Sequence, residues 1–236
     1  MYLAKYLAHA GLCSRRKAIE LVKSGQISVN NIIITDPAYL VKTSDKVKYE
    51  NKIIRLKQQQ VFKYILLNKP KGYVSTVNDE KGRRTVLDLI KLKKAERIYP
   101  VGRLDKDTTG LILLTNDGDL AQKLSHPRNE IIKAYHVITD KDVELKDLAT
   151  LSKGVRLEDG FIKSDDIFFT NNFSRKKITV KIHSGKKRII RRMFQILGYE
   201  VEKLDRFLYA GLTKKDLPIG GWRFLTKGEL KKLKNL

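Results

Sequence analysis

The 236-residue sequence predicts an α+β fold, with a small N-terminal domain followed by a mixed, mostly antiparallel β-sheet flanked by helices. Short apolar runs with strand-like composition are interspersed with stretches of helical periodicity. Many short turns separate them, which is typical of an α+β arrangement. A polar stretch at 58–60 has no apolar period. We therefore predict domains at residues 1–50 and 63–236, joined by a linker at 51–62 that begins with a strand-like run.

The N-terminal part predicts two helices followed by a small sheet. Ser14 stands where the N-cap of the second helix belongs, and Gly25 is positioned to end that helix. Strand-like runs follow at QISVN, IIIT and DKVKYE.

The larger part alternates predicted strands and helices. Strand-like runs are YILLN, GYVST, ERIYPV, GLILLTN, KAYHVIT and KKITVKI, and helical stretches are TVLDLIKL, DGDLAQKLS, DVELKDLATLSKG and KKRIIRRMFQILG. In the last of these, Arg188, Arg191, Arg192 and Gln195 share the face opposite the apolar residues. Thr226 and Glu229 have capping-box spacing and predict a final helix.

The charge balance points to a polyanionic partner. The chain has 49 Lys and Arg against 26 Asp and Glu, a net charge of +23, while 42% of its residues are hydrophobic, enough for a packed core. Nucleic acid is the simplest partner for such an excess, although a lysine-rich solvated surface is the alternative. The only cysteine, Cys13, allows no internal disulfide, and we expect a cytoplasmic protein. No apolar run is long enough to span a membrane.

A cationic cluster opens the second predicted helix. Arg15, Arg16 and Lys17 lie in its first turn, where the free backbone N–H groups already favour anions. Cations are normally disfavoured at that end of a helix. The cluster therefore predicts phosphate contacts, against the alternative of an ordinary solvated turn.

The segment GRLDKDTTGLILLTND comes close to a calcium loop. Asp105, Asp107 and Thr109 take ligand positions, and Gly110 takes the turn position, but Asn116 stands where a bidentate glutamate is needed. The flanks IYPVGR and GLILLTN are not helical, so the calcium interpretation fails. A magnesium ion held by two carboxylates stays an alternative. Structural roles are expected for the four histidines, which show no zinc spacing: His9, His126, His136 and His183.

Without a metal, this segment places an aspartate in a loop between two strands. Arg103 and Lys106 flank Asp105, and nearby cations keep a carboxylate ionised, as a nucleophile requires. Turn capping by Asp105 or Asp107 is the structural alternative.

The motifs then resemble a known family. GRLDKDTTGLILLTNDGDLA, continued by HPRNEIIKAYHV, resembles the active-site motif of the pseudouridine synthases of the RsuA/RluB branch. YILLNKPKGYVST and SGKKRIIRRMFQILGYEVEKLDR resemble that family's first and last motifs. AGLCSRRKAIELVKSGQISVNN resembles the small alpha-L RNA-binding domain, which is named after a ribosomal small-subunit protein. Together these resemblances cover nearly the whole chain.

The resemblance implies a reaction and its residues. A uridine in RNA is detached from its ribose, rotated and rejoined through a ring carbon, without metal or cofactor. Asp105 would be the nucleophile, Tyr135 would stack on the target base, Arg191 would pair with Asp105, and Arg103 would contact RNA near the flipped nucleotide. Further RNA contacts are expected from Arg15, Arg16, Lys17, Lys106, Arg188 and Arg192.

One position departs from the family pattern. Ile189 stands where the last motif usually has a glutamine, which puts in doubt any contact that this glutamine would make. The double arginine that follows is retained.

Three functions stay open on the sequence: an RNA-modifying isomerase, a non-catalytic RNA-binding protein such as a ribosome-assembly factor, and a metal-dependent nuclease using Asp105 and Asp107. We favour the first, as a monomer acting on large-subunit (23S) ribosomal RNA, with small-subunit (16S) RNA as the alternative target.

Overall fold

Two units make up the computed structural model, which describes residues 1–56, 61–91 and 97–236. The units are Met1–Val61 and Phe62–Leu236. Three sequence predictions fall partly outside the described residues: the centre of the linker (57–60), the end of TVLDLIKL and the start of ERIYPV. Within the described ranges, no helix is both long and apolar enough to cross a lipid bilayer.

The first unit packs two helices against an antiparallel sheet with the order β2-β1-β3-β4. Its elements are α1 (Leu3–His9), α2 (Arg15–Lys23), β1 (Ile27–Val29), β2 (Ile32–Ile33), β3 (Val47–Tyr49) and β4 (Lys52–Ile54). As predicted, the Ser14 side chain caps α2 by accepting a hydrogen bond from the Lys17 amide. The apolar faces of both helices meet the sheet in one core, which buries Leu3, Leu7, Ala18, Val22, Ile27 and Val47.

Tight hairpins extend this sheet past the predicted boundary at residue 50. Glu50 and Asn51 both have positive φ (46° and 61°), the conformation of a two-residue hairpin turn that matches the strand twist. They join β3 to β4, so Lys52–Ile54 lies inside the sheet and not in a linker. Asn30 and Asn31 form a corresponding turn between β1 and β2.

The second unit is built on one large sheet. Its strands are β5 (Tyr64–Lys69), β6 (Tyr99–Val101), β7 (Thr109–Thr115), β8 (Lys133–Thr139), β9 (Val155–Leu157), β10 (Gly160–Ile162), β11 (Asp166–Phe169), β12 (Lys177–Ile182), β13 (Val201–Tyr209), β14 (Leu212–Thr213) and β15 (Trp222–Phe224). Its helices are α3 (Gly118–Ser125), α4 (Leu145–Lys153), α5 (Ile189–Gln195) and α6 (Lys227–Asn235), with 3₁₀ turns at Val86–Leu89 and Pro127–Asn129.

The sheet is mixed and mostly antiparallel, as the sequence predicts. The described strands run in the order β11-β12-β8-β13-β7-β5-β15, with β14 paired to β13 and β6 to β7, while β9 and β10 form a separate hairpin. In this sheet, β7 and β13 are the parallel neighbours.

Helices cover both faces of this sheet. Along β5 and β7, alternate residues enter two different cores, because successive side chains of a strand point to opposite faces. Ile65 and Ile112 belong to the core beneath α4 and α5, whereas Leu66 and Leu113 belong to the core beneath α3 and α6. Burial on both faces explains why these two strands are continuous apolar runs.

The structure differs from the sequence predictions at three places in this unit. GYVST is not a strand; only Val74 forms an isolated bridge, with Thr85. Conversely, the longest strand, β13, was missed, because its polar residues and its two register irregularities disrupt the alternation that identifies strands. TVLDLIKL forms only a single 3₁₀ turn in its described part.

The parallel junction between β7 and β13 is short and very close. Thr109 pairs with Asp205, and Gly110 pairs with Arg206. A Cβ atom at Gly110 would lie 2.2 Å from the carbonyl oxygen of Arg206, and Gly110 has a φ of +108°. Only glycine fits this position. The junction places the loop before β7 directly beside the middle of β13.

Candidate active site

The predicted nucleophile lies in the loop between β6 and β7. Asp105 has 29% of its side chain exposed, and Asp107 has 45%. The carbonyl of Asp105 accepts a hydrogen bond from the Thr108 amide at 3.1 Å, which closes a turn around the two aspartates. Both carboxylates are thus accessible, while their backbone is fixed to the start of a buried strand.

A buried lysine ties this loop to the neighbouring one. Lys69, at the end of β5, is fully buried. Its ammonium group donates to the carbonyls of Pro70 and Tyr73, both at 3.0 Å, and reaches the carbonyl of Lys106 at 3.5 Å. Burial lowers the pKa of Lys69 to about 8, and the negative charges of Asp107 and Asp105 oppose that shift. Lys69 therefore links the loop that follows β5 to the loop that carries the two aspartates.

The ion pairs above the loop differ from the predicted one. Arg191 does not form its ion pair with Asp105; its guanidinium contacts Asp107 at 3.0 Å. Arg188 contacts Asp107 at 3.3 Å and reaches Asp105 at 3.8 Å. Burial lowers the pKa of Arg191, and Asp107 counteracts this effect. The loop turn directs Asp107 toward the start of α5, which puts that carboxylate nearer to Arg191.

Arg188 lies outside α5, unlike Arg191 and Arg192. The helix begins at Ile189, and Arg188 precedes it with a left-handed φ of 51°. Arg188 is therefore not part of the predicted polar helix face but of the bend that turns toward Asp107. Ile189, in place of the family's usual glutamine, is buried in the apolar core beneath α4 and α5.

A cavity of about 320 Å³ opens beside Asp105. Residues of three predicted roles line it: Asp105, Arg103 and Tyr135. Tyr135 lies on β8 opposite Arg206 of β13 and is almost fully buried. The structure thus brings the proposed nucleophile and the proposed stacking ring to one cavity. Its volume lies in the range of small-ligand pockets.

Two basic residues at the floor of this cavity were not predicted. Arg206 is 2% exposed, and Lys133 is half-buried on β8. Burial, with a smaller contribution from the positive charge of Arg206, lowers the pKa of Lys133 to about 8. Lys133 stands within the quoted KAYHVIT run, and Arg206 is the final residue of the last quoted motif, so membership in the motifs was the available signal.

The remaining predicted RNA-contact residues have varied surroundings. Arg15 and Arg16 are exposed on the first turn of α2, whereas Lys17 pairs with Glu20 at 3.1 Å. Lys106 is exposed beside the two aspartates. Arg192 instead forms a bidentate ion pair with Asp159, with hydrogen bonds of 2.9 and 3.0 Å. That pair attaches α5 to the β9–β10 hairpin.

The described residues contain no group of three or more His, Cys, Asp or Glu side chains arranged to hold a metal ion. Arg188 and Arg191 occupy the space around Asp105 and Asp107, so this loop is electrostatically unfavourable for a cation.

Two of the four histidines make contacts within the sheet region. His136 stacks on Phe207 at 4.1 Å between ring centres, and His183 contacts Asp165 at 2.7 Å.

This combination of fold and site defines an RNA-modifying isomerase. A family model described as RNA pseudouridylate synthase matches residues 63–196, and an S4 domain model matches residues 1–47. The chain belongs to the RNA pseudouridylate synthase family, in the RsuA/RluB branch, and carries an N-terminal S4 domain. The predicted enzyme class and fold class are confirmed.

Individual relatives cover nearly the whole chain. It is 42% identical over 238 residues to ribosomal large subunit pseudouridine synthase B of Bacillus subtilis (strain 168), covering 99% of this chain and 96% of the relative. It is 36% identical to the dual-specificity RNA pseudouridine synthase RluF of Escherichia coli (strain K12), over 97% of this chain and 76% of the relative. A crystal structure of a pseudouridylate synthase superposes with a TM-score of 0.71 at 26% identity, covering 99% of both chains.

Proposed function

We propose that this protein converts one uridine of large-subunit (23S) ribosomal RNA to pseudouridine, with Asp105 as the nucleophile and without metal or cofactor. The observation that carries the site assignment is the shared cavity: Asp105 and Tyr135 line the same space, 30 positions apart in the chain. The ribosomal target is supported by the names of relatives that match over nearly the full length of this chain.

The reaction is an internal rearrangement. The bond between N1 of the base and C1′ of the ribose breaks, and a bond between C5 and C1′ forms. C5 loses its proton and N1 gains one, so no atom is gained or lost overall. A uridine in stacked RNA cannot rotate in place and must first be flipped out.

Within this proposal, each residue has a distinct task. The Asp105 carboxylate attacks the ribose or the base, and the Arg188 guanidinium lies 3.8 Å from it. The Tyr135 ring offers the flipped base a stacking surface. Arg191 is a positioning residue: it holds Asp107 and through it the loop that carries Asp105. Arg103, exposed at the rim of the cavity, contacts RNA beside the flipped nucleotide.

The first unit strengthens RNA binding without taking part in the chemistry. Arg15 and Arg16 extend into solvent beside the N-terminus of α2, where phosphate contacts are favourable.

We also propose that the protein is cytoplasmic and acts as a monomer. A net charge of +23 makes copies of the chain repel each other, which favours the monomer.

Unmodified 23S and 16S transcripts provide the test. Each is incubated with the protein in EDTA and, in parallel, with magnesium and no EDTA, and pseudouridines are then mapped by nucleotide. We expect one new site in 23S RNA. Product only in 16S RNA would correct the target, binding without product would indicate a non-catalytic RNA-binding protein, and cleavage that EDTA abolishes would indicate a nuclease.

A further inference from the structure

Arg206 is a buried cation whose hydrogen bonding is incomplete. Its Nε donates to the carbonyl of Leu111 at 2.7 Å, and its guanidinium lies 4.7 Å from the centre of the Tyr209 ring. Its Nη2 has no acceptor among the residues that the structure describes. Leaving a charged donor buried and unpaired is costly, so this arrangement indicates that a ligand supplies the acceptor.

A second cation faces the same cavity. The ammonium group of Lys133 donates to the carbonyl of His183. Lys133 is close enough to Arg206 for the two positive charges to repel each other. Arg206 forms no ion pair with an acidic side chain in the described ranges, in contrast to Arg191 and Arg188. Two neighbouring cations that line one cavity are stabilised by an anion more than by a neutral group.

The strand register relates both cations to the stacking residue. Lys133 and Tyr135 are two residues apart on β8 and therefore point to the same face, about 6.6 Å apart along the strand. In the ladder between β8 and β13, Tyr135 lies opposite Arg206, and Lys133 lies opposite Tyr209. The two cations thus lie beside the face on which a base would stack.

We propose that Arg206 and Lys133 form a phosphate-binding subsite at the floor of the cavity, which receives a phosphate of the nucleotide whose base stacks on Tyr135. This inference rests on the proposed function, because it takes a flipped nucleotide as the occupant. The subsite holds the nucleotide by its backbone while the base is detached and turns. A uracil carbonyl is a weaker alternative acceptor, since it carries no charge to offset the repulsion between the two cations.

Mononucleotide binding tests the subsite independently of turnover. Uridine, uridine 5′-monophosphate and uridine 3′-monophosphate are titrated into the full-length protein, with binding followed by NMR. We expect at least one monophosphate to bind about 10-fold more tightly than uridine, the scale of a charge-assisted hydrogen bond. The same nucleotide should raise the pKa of Lys133, observed through its side-chain ¹³Cε signal, and uridine should not.

Substitutions then assign the preference to the two cations. In Lys133→Met and Arg206→Gln the preference for the monophosphate should fall to within about twofold, while Arg206→Lys, which retains the charge, should keep part of it. Lys181→Met is the matched control: Lys181 is also a sheet lysine but pairs with Asp166 at 2.9 Å, outside the cavity. Thermal melts establish which variants are folded, and Arg206→Lys stands in if Arg206→Gln is not.

Three outcomes would overturn the subsite. Equal binding of uridine and both monophosphates, including no detectable binding of any of them up to their solubility limits, would show that no phosphate is recognised. A preference that survives Lys133→Met and Arg206→Lys unchanged would place the phosphate contact elsewhere. Loss of uridine binding in Arg206→Lys with the phosphate preference intact would assign Arg206 to a base carbonyl. Because none of these readouts needs product, a failure of the proposed function on ribosomal RNA would be seen separately.

Discussion

Positive charges are paired with carboxylates in one part of the site and lack an acidic partner in another. Beside the aspartate loop, the partly exposed Arg188 and the mostly buried Arg191 both contact the carboxylate of Asp107, and Arg188 also reaches Asp105. At the floor of the cavity, Arg206 donates to a carbonyl and lies over the Tyr209 ring, and Lys133 donates to another carbonyl, but neither forms an ion pair among the described residues. The charges beside the loop thus stabilise its conformation, whereas those at the floor are not neutralised by a carboxylate.

This difference has a physical basis. A cation paired with a nearby carboxylate contributes to the geometry of its loop but leaves little charge to attract an anion. A buried cation without a carboxylate destabilises the free protein and recovers that free energy when an anion binds. Substitutions beside the aspartate loop should therefore mainly reduce turnover, and substitutions at the floor of the cavity should mainly reduce substrate binding.

The largest effect is expected at Asp105. Asp105→Asn keeps the shape of the side chain but removes its charge and nucleophilic oxygen, so pseudouridine formation should fall below detection. RNA binding should persist or tighten, since one negative charge facing the phosphates is removed. Turnover on the mapped RNA measures the loss of pseudouridine formation, and a filter-binding assay measures the RNA affinity.

Asp107→Asn is the control within the same loop. It weakens the contacts to Arg188 and Arg191 without touching the proposed nucleophile, so its effect should be clearly smaller. Comparable loss in both variants, relieved by added magnesium, would support a two-carboxylate metal site. Turnover by folded Asp105→Asn protein would refute the nucleophile assignment.

Gly110 lies between the aspartate loop and Arg206 at the floor of the cavity, in the β7–β13 junction. In Gly110→Ala, the new Cβ would meet the Arg206 carbonyl oxygen at 2.2 Å, in a backbone conformation that alanine disfavours. We expect a loss of about 3 kcal/mol in unfolding free energy, combining overpacking and backbone strain. Urea denaturation measures it.

Gly102→Ala is the matched comparison. Gly102 also has positive φ (+71°), but a Cβ there would meet no atom within 4 Å. Its cost should be limited to about 1 kcal/mol of backbone strain. Equal losses at the two glycines would show that the close approach of the strands does not matter.

Arg191→Ala should separate positioning from binding. It removes the contact to Asp107 at 3.0 Å and frees the loop that carries Asp105. Turnover should fall by about 10- to 100-fold, the range for one charge-assisted hydrogen bond, with the RNA dissociation constant changed by less than about threefold. Single-turnover kinetics at saturating enzyme provide this separation.

The neighbouring Arg192→Ala serves as its control. Arg192 pairs with Asp159 and not with the aspartate loop, so its loss should affect stability more than catalysis. A loss confined to RNA affinity in Arg191→Ala would instead assign Arg191 to a phosphate contact.

Lys69 predicts a pH dependence of stability. Its pKa in the folded protein, about 8, lies below its ordinary value of 10.5 because of burial. Between those pH values the unfolded chain binds more protons, so the contribution of Lys69 to unfolding free energy rises with pH. Native protein should therefore gain stability relative to Lys69→Met between about pH 8 and pH 10. Denaturation curves across this window measure the difference.

The smallest effect is expected far from the chemistry, at α2. Arg15→Ala combined with Arg16→Ala should lower the slope of log K against log salt by about 1.4, at roughly 0.7 per phosphate contact to single-stranded RNA. Lys17→Ala should change it less, because Lys17 already pairs with Glu20. Turnover at saturating RNA should be unaffected. An unchanged slope in the double variant would remove these arginines from the RNA interface.

The sequence by itself determined the local features of this protein. The Ser14 cap, the Thr226–Glu229 capping box, the apolar strands β5 and β7 and the position of the Asp105 loop follow from short-range spacing and composition, and the structure contains each of them. The resemblance to family motifs added the proposed roles of Asp105 and Tyr135, and the structure places both residues at one cavity. Such features depend on interactions within a few residues, which a sequence displays directly.

Only the tertiary structure decided which charges meet. The choice of Asp107 over Asp105 by Arg191 depends on how the β6–β7 loop turns beneath α5, and these segments are more than 80 residues apart. Likewise, in the sequence Arg206 is one of many basic residues. Only when β13 pairs with β7 and β8 does its Nε meet the carbonyl of Leu111, 95 positions away. Electrostatic energies depend on distance and burial in space, so a cation's role is set by the register of strands that the sequence brings together only on folding.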